Sequence, residues 1–172
     1  MSVWKPQLAI CEKIHKPIWA KDLSEKSGAK AFAALDYEQF WADVVAKTPP
    51  EQQHFYEVIQ NKPCHMFFDF DTKECHAQWA LMEPCVDMFV QELTGIKPTH
   101  VVLDASNENK QSLHVITKIE GKFLLKTPTQ GKAFLKCIED LFLEENETFG
   151  CDETIYSKSR CFRLWNSSKR GK

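Results

Sequence analysis

Cys64-His65-Met66-Phe67-Phe68-Asp69-Phe70-Asp71 sets two carboxylates one residue apart inside an apolar, aromatic run. The run reads as a buried strand over residues 65–71. Side chains alternate between the faces of a strand, so Asp69 and Asp71 share one face, with Cα atoms ~6.6 Å apart. Two ionised carboxylates on a hydrophobic strand are costly unless a cation or a dense set of donors compensates them. A divalent magnesium or manganese ion supplies that compensation. So does an arginine paired with one of the acids, or a strand whose Asp face lies open to water.

Working outward, the turn Asn61-Lys62-Pro63 joins this strand to another over 54–59. Pro49-Pro50 is the clearest break in the chain, dividing an N-terminal helical part, about 1–50, from a core of about 51–172. In the first part Asp36 followed by Gln39 marks a capped helix start. Tyr37, Phe40, Trp41, Val44 and Val45 then fall on one face, which reads as core. Downstream, a helix over 77–93 carries the stripe Leu81, Cys85, Val86, Phe89, Val90 and Leu93, and Gly95 stops it. Strands are expected over 99–103 and 112–117. A helix from Pro128 or Thr129 to about 144 buries Phe134, Leu135, Ile138, Leu141 and Phe142, and a last strand covers 161–165. Strands interleaved with helices predict an α/β or α+β fold around a mostly antiparallel central sheet, similar to the RRM-like β-α-β-β-α-β arrangement.

The 172 residues suit one compact domain, or two small modules packed together, able to bury a real core. No apolar run approaches the ~20 residues of a membrane helix, and the start has no signal-peptide hydrophobic region, so an intracellular chain with no membrane partner is expected. The seven cysteines show no short paired spacing of the kind zinc sites use. Net charge is −2, which does not advertise a nucleic-acid binder, but its distribution is uneven. Residues 139–147 are acidic, whereas 158–172 carry Lys158, Arg160, Arg163, Lys169, Arg170 and Lys172 with no acid, a local segment able to hold phosphates.

Two further segments carry chemistry. In Lys110-Gln111-Ser112-Leu113-His114-Val115-Ile116, period-two alternation puts Lys110, Ser112 and His114 on one face. These three residues can all donate to phosphate oxygens. The segment from Asp152 to Lys169 begins with an acid and ends in a strand where Arg163 alternates with Phe162 and Leu164. An arginine projecting from an apolar strand calls for an anion, either a phosphate or a carboxylate such as Asp69 or Asp71.

Taken together, Phe68-Asp69-Phe70-Asp71, Ser112-x-His114, and Asp152 followed by Tyr156, Arg160, Phe162-Arg163-Leu164 and Ser167-Ser168-Lys169 resemble the archaeo-eukaryotic primase superfamily. The likeness is to its PrimPol and large-DNA-virus members and runs from about Phe32 to the end. The order of the D-x-D, S-x-H and late Asp motifs is the family's own. Asp71 stands where the vertebrate-type pattern has Glu.

The resemblance implies a primase catalytic core with an RRM-like sheet and an N-terminal α/β module. It implies a DNA-directed primase-polymerase that transfers nucleotides from deoxy- or ribonucleoside triphosphates on a DNA template and primer, with replication proteins as further partners. Asp69, Asp71 and Asp152 would be catalytic and bind two Mg2+ or Mn2+ ions. Lys110, Ser112, His114, Arg160, Arg163 and Lys169 would bind the incoming nucleotide. No zinc or helicase module of the family's kind is read before Lys172, so elongation is the activity expected first. Two other classes compete with this reading. One is a non-catalytic nucleic-acid-binding replication-accessory module. The other is a D-x-D nucleotide-sugar transferase, against which the Ser-x-His and Arg-rich segments count.

Overall fold

The computed structural model describes residues 3–25, 27–72, 78–108, 110–145 and 147–168. It is a mixed α+β fold in which antiparallel sheets are flanked by helices. The chain forms two compact units, Met1–Gln60 with Ser159–Lys172, and Asn61–Lys158.

In the first unit four strands, β1 (Ile18–Asp22), β2 (Lys30–Ala34), β3 (Phe55–Ile59) and β7 (Arg160–Arg163), lie in the order β2-β1-β3-β7. Every neighbouring pair is antiparallel. One face of the sheet packs Ile18, Ala20, Tyr56 and Val58 with Cys11 of α1 (Leu8–Glu12). The other packs Trp19, Ala33 and Phe55 against Leu35, Phe40, Val44 and Val45. Phe40 ends α2 (Tyr37–Phe40), which runs on as a π-helical turn, Trp41–Val45. The expected helical N-terminal part thus also contains two strands. Their signal is weak because β1 is central and buried on both faces, so its residues do not alternate between apolar and polar.

The aromatic stripe of α2 splits. Phe40, Val44 and Val45 are buried, but Tyr37 and Trp41 are 55% and 52% exposed, contrary to the expectation that all five are core. The two exposed residues stand four apart, a row along the flank of the helix rather than under it.

In the second unit β4 (Met66–Thr72), β5 (Thr99–Asp104) and β6 (Gln111–Lys118) form an antiparallel sheet in the order β4-β6-β5. The helix α3 (Gln78–Thr94) lays Trp79, Met82, Val86 and Val90 into the core. The Trp79 ring lies 5.8 Å from Phe68 and 6.2 Å from Phe70. Leu81 and Leu93, read as part of the buried stripe, are exposed, because the face that docks on the sheet is the one through Trp79 and Met82. Position 81 lies ~200° around the helix from 79.

The last helix, α4 (Gly131–Phe142), buries Leu135 and Ile138, and its Phe134 ring meets Phe89 edge-on at 5.1 Å. Leu141 in its final turn is exposed rather than buried. Its first residue has to be glycine for a packing reason. A Cβ on Gly131 would come within 2.2 Å of the Tyr156 ring, whose hydroxyl donates to the Phe67 carbonyl at 2.8 Å. The final strand ends at Arg163, and Trp165, expected inside it, is exposed beyond it. Among the described residues no helix is long and apolar enough to cross a membrane.

Candidate functional site

The pairing of β4 with β6 assembles the central constellation. Asp69 lies opposite His114 and Asp71 opposite Ser112, so the four side chains share one face of the sheet. The alternate positions Phe68, Phe70, Leu113 and Val115 are buried on the other face, which fixes the register because a slip of one residue would bury the acids. His114 Nε2 stands 3.4 Å from Asp69 Oδ1. Lys110, just before β6 in the β5–β6 hairpin, is ion-paired through Nζ with Asp71 Oδ1. The Asp69 side chain is 21% exposed and that of Asp71 52%, so the pair runs from a mostly enclosed position to a half-exposed one.

Asp152 reaches the same strand from a distant part of the chain. Its backbone N–H donates to the Asp69 carbonyl at 2.8 Å, and Cys151 bridges to Phe70. Its own Oδ1 caps the short 3-10 turn Glu153–Tyr156 by accepting the Thr154 N–H at 2.9 Å. The approach to it is pinned by Glu139, a buried acid on α4 whose Oε1 accepts the Phe149 N–H at 3.0 Å. Burial pushes the Cys151 thiol well up, and the Glu139, Asp69, Glu153 and Asp152 carboxylates raise it further, so this cysteine stays protonated.

The oxygen donors of Asp69, Asp71 and Asp152 are of the hard kind that magnesium and manganese take. In kind, therefore, the residues fit such an ion. Their side chains are occupied otherwise, by His114, Lys110 and the Thr154 N–H respectively. Among the described residues no group of three or more His, Cys, Asp or Glu side chains is gathered closely enough to hold a metal.

The remaining expected residues lie elsewhere. Arg160 and Arg163 sit on β7 of the first unit, Arg160 exposed and Arg163 half-buried. Arg163 faces Tyr56 across the β3–β7 ladder and hydrogen-bonds its hydroxyl. That hydroxyl donates in turn to Asp22 Oδ2 at 2.9 Å, and Lys30 is ion-paired with Asp22 while lying 3.7 Å from the centre of the Tyr56 ring. Burial first, then Asp22, push the Tyr56 phenol up to about 12. Among the described residues the buried Arg163 Nε finds no hydrogen-bond partner. Lys169 lies outside the described residues.

Sequence reading passed over Glu139, which it counted only in an acidic run. A signal was present, since Glu139 falls beside Ile138 on the buried stripe of α4. The Asp152–Asp69 backbone contact has no local sequence signal, because it joins positions 83 residues apart.

No protein-family model matches the chain. The chain is similar to "Uncharacterized protein ORF49" of Ostreid herpesvirus 1 (isolate France), at 28% identity over 193 aligned positions that cover 91% of this chain and 16% of that protein. The chain therefore spans about a sixth of the length of the relative it matches.

Proposed function

We propose that the second unit carries the acidic core of a DNA-directed primase-polymerase, which transfers nucleotides from deoxy- or ribonucleoside triphosphates to a primer end. The observation that carries this reading is the register that faces Asp69 with His114 and Asp71 with Ser112, with Asp152 tied to the Asp69 backbone. It gives an RRM-like reading of the three-stranded sheet its functional content, since the conjunction of acids, Ser-x-His and late Asp is what the sequence shares with the primase superfamily.

In this reading Asp69, Asp71 and Asp152 would hold two divalent ions, Mg2+ or Mn2+, which lower the pKa of the attacking 3′-hydroxyl and offset charge as pyrophosphate departs. His114 and Ser112 donate to triphosphate oxygens from the same open face. Lys110, paired with Asp71 in this structure, would be free to meet a phosphate oxygen were that carboxylate to hold a metal ion. Arg160, Arg163 and Lys169 enter the reading from the sequence resemblance. All of these groups act by positioning and electrostatics, as phosphoryl and nucleotidyl transfer require.

Equilibrium titration of dATP with and without MgCl2 or MnCl2, on the wild type and on Asp69→Ala, tests the site. Binding that strengthens with metal and is weakened in the variant supports it. The present pairing of each acid with a cation or an N–H favours one alternative, a non-catalytic replication-accessory module that holds nucleic acid. Nucleotide or DNA binding indifferent to metal and to Asp69→Ala would select that alternative.

A further inference from the structure

The first unit contains an open aromatic groove, remote in sequence from the acids, for which the proposed activity has no use. It has a volume of 550 Å³ and is lined by Trp19, Tyr37, Phe40, Trp41, Glu57 and Leu164 among others, with Glu38 also at its edge. The rings are ordered by one another. Trp19 stacks on Phe40 at 4.0 Å, meets Tyr37 edge-on at 5.1 Å, and anchors its indole N–H on the Leu35 carbonyl at 2.9 Å.

Among the described residues the groove's charge is of one sign, since those lining it include Glu38 and Glu57 and no lysine or arginine. Tyr37 donates its hydroxyl to Glu57 Oε1 at 2.7 Å, and burial together with the Glu57 charge pushes the Tyr37 phenol well up, so the wall keeps a neutral phenol beside a carboxylate. Exposing Tyr37 and Trp41, large aromatics set beside two acids, presents π faces and negative charge to the same occupant. Phosphates would be repelled by these acids, which disfavours a stacking platform for single-stranded nucleic acid.

We propose that this groove docks a short peptide segment of a partner protein, in which a lysine or arginine adjoins a leucine or aromatic residue. The apolar side chain fills the space between Trp19, Phe40 and Leu164. The cation lies over the Trp41 ring and pairs with the Glu57 or Glu38 carboxylate. Cation–π contact and a charge-assisted hydrogen bond are each strengthened by the apolar wall that excludes water.

The test is selection of a random heptapeptide library displayed on phage against the 172-residue chain, with Trp41→Ala as the counter-target. An enriched peptide is then synthesised with a fluorescent label and titrated beside labelled oligo(dT). The expected result is enrichment of sequences pairing Lys or Arg with Leu, Phe or Trp. Affinity should fall about tenfold in Trp41→Ala and several-fold in Glu57→Gln, which keeps an oxygen acceptor for Tyr37 but removes the charge. Trp41 is half exposed, so its replacement leaves the core in place, and a near-ultraviolet circular dichroism spectrum checks this. No enrichment over Trp41→Ala, enrichment of acidic or uncharged peptides, or oligo(dT) binding that depends on Trp41 would each overturn the proposal.

Discussion

The two sheets of this protein use their faces differently. The four-stranded sheet is apolar on both sides, with Trp19, Ala33 and Phe55 packed on one and Ile18, Ala20 and Val58 on the other. The three-stranded sheet buries Phe68, Phe70, Leu113 and Val115 on one face and sets Asp69, Asp71, Ser112 and His114 on the other. A sheet covered on both sides is a scaffold, and the polar side chains on its covered face, Asp22, Lys30, Tyr56 and Arg163, engage one another at one end of it. A sheet with one polar, partly exposed face can gather charges that a dry core would not tolerate. The difference separates a face that holds the fold from the face proposed to bind nucleotide, and substitutions on each probe it.

The largest effect on stability is expected at the apolar face of the three-stranded sheet. Phe68 is fully buried against Trp79, and Phe68→Ala should cost about 3–5 kcal/mol by lost burial and the cavity left behind. Chemical denaturation would measure it, and a loss below 1 kcal/mol would mean that this face is not the core described. Next comes Glu139, which holds the loop leading to Asp152. Glu139→Ala strands the buried Phe149 N–H and should cost about 1–3 kcal/mol. Its distinguishing consequence is a weaker metal-dependent dATP complex at temperatures where the fold is intact.

On the polar face the balance should invert. Lys110 and Asp71 are about half exposed, so Lys110→Ala should change stability by no more than about 1 kcal/mol. Triphosphate binding should nonetheless weaken several-fold if Lys110 serves the nucleotide. Equal binding by the variant would remove Lys110 from the site.

The smallest effect concerns pH. Burial, with Lys118 nearby, lowers His65 below its ordinary 6.5. The unfolded chain then binds a proton more readily than the folded one, so stability is full above pH 6.5 and declines as pH falls from there through the lowered folded value. Thermal melts at pH 7.5 and 5.5 should show that decline, and it should be shallower in His65→Gln.

The strands that carry the constellation were legible because each has a clear pattern. The apolar run with two alternating acids gives Met66–Thr72, and polar–apolar alternation gives Gln111–Lys118, each within a residue or so of the expected bounds. Both long helices were legible from periodicity, but their docked faces were not. Leu81, Leu93 and Leu141 are as hydrophobic as Met82 or Leu135, and only the position of the sheet decides which is buried.

The strands Ile18–Asp22 and Lys30–Ala34 escaped notice because β1 is buried on both faces and β2 is short and rich in alanine. That Asp69, Asp71, Ser112 and His114 share a face follows from register and alternation. The approach of Asp152 depends on a tertiary contact to Asp69 and on a buried Glu139, and no local pattern encodes it.

The proposed activity is that the acidic face of the three-stranded sheet joins nucleotides. Extension of a labelled primer on a DNA template, with Mg2+ or Mn2+ and each nucleotide type, run beside Asp69→Ala and Asp152→Ala, puts that activity to the test. The expected result is metal-dependent extension by the wild type and none by either variant, with both variants still folded. Extension that persists in both variants would exclude these acids from the chemistry.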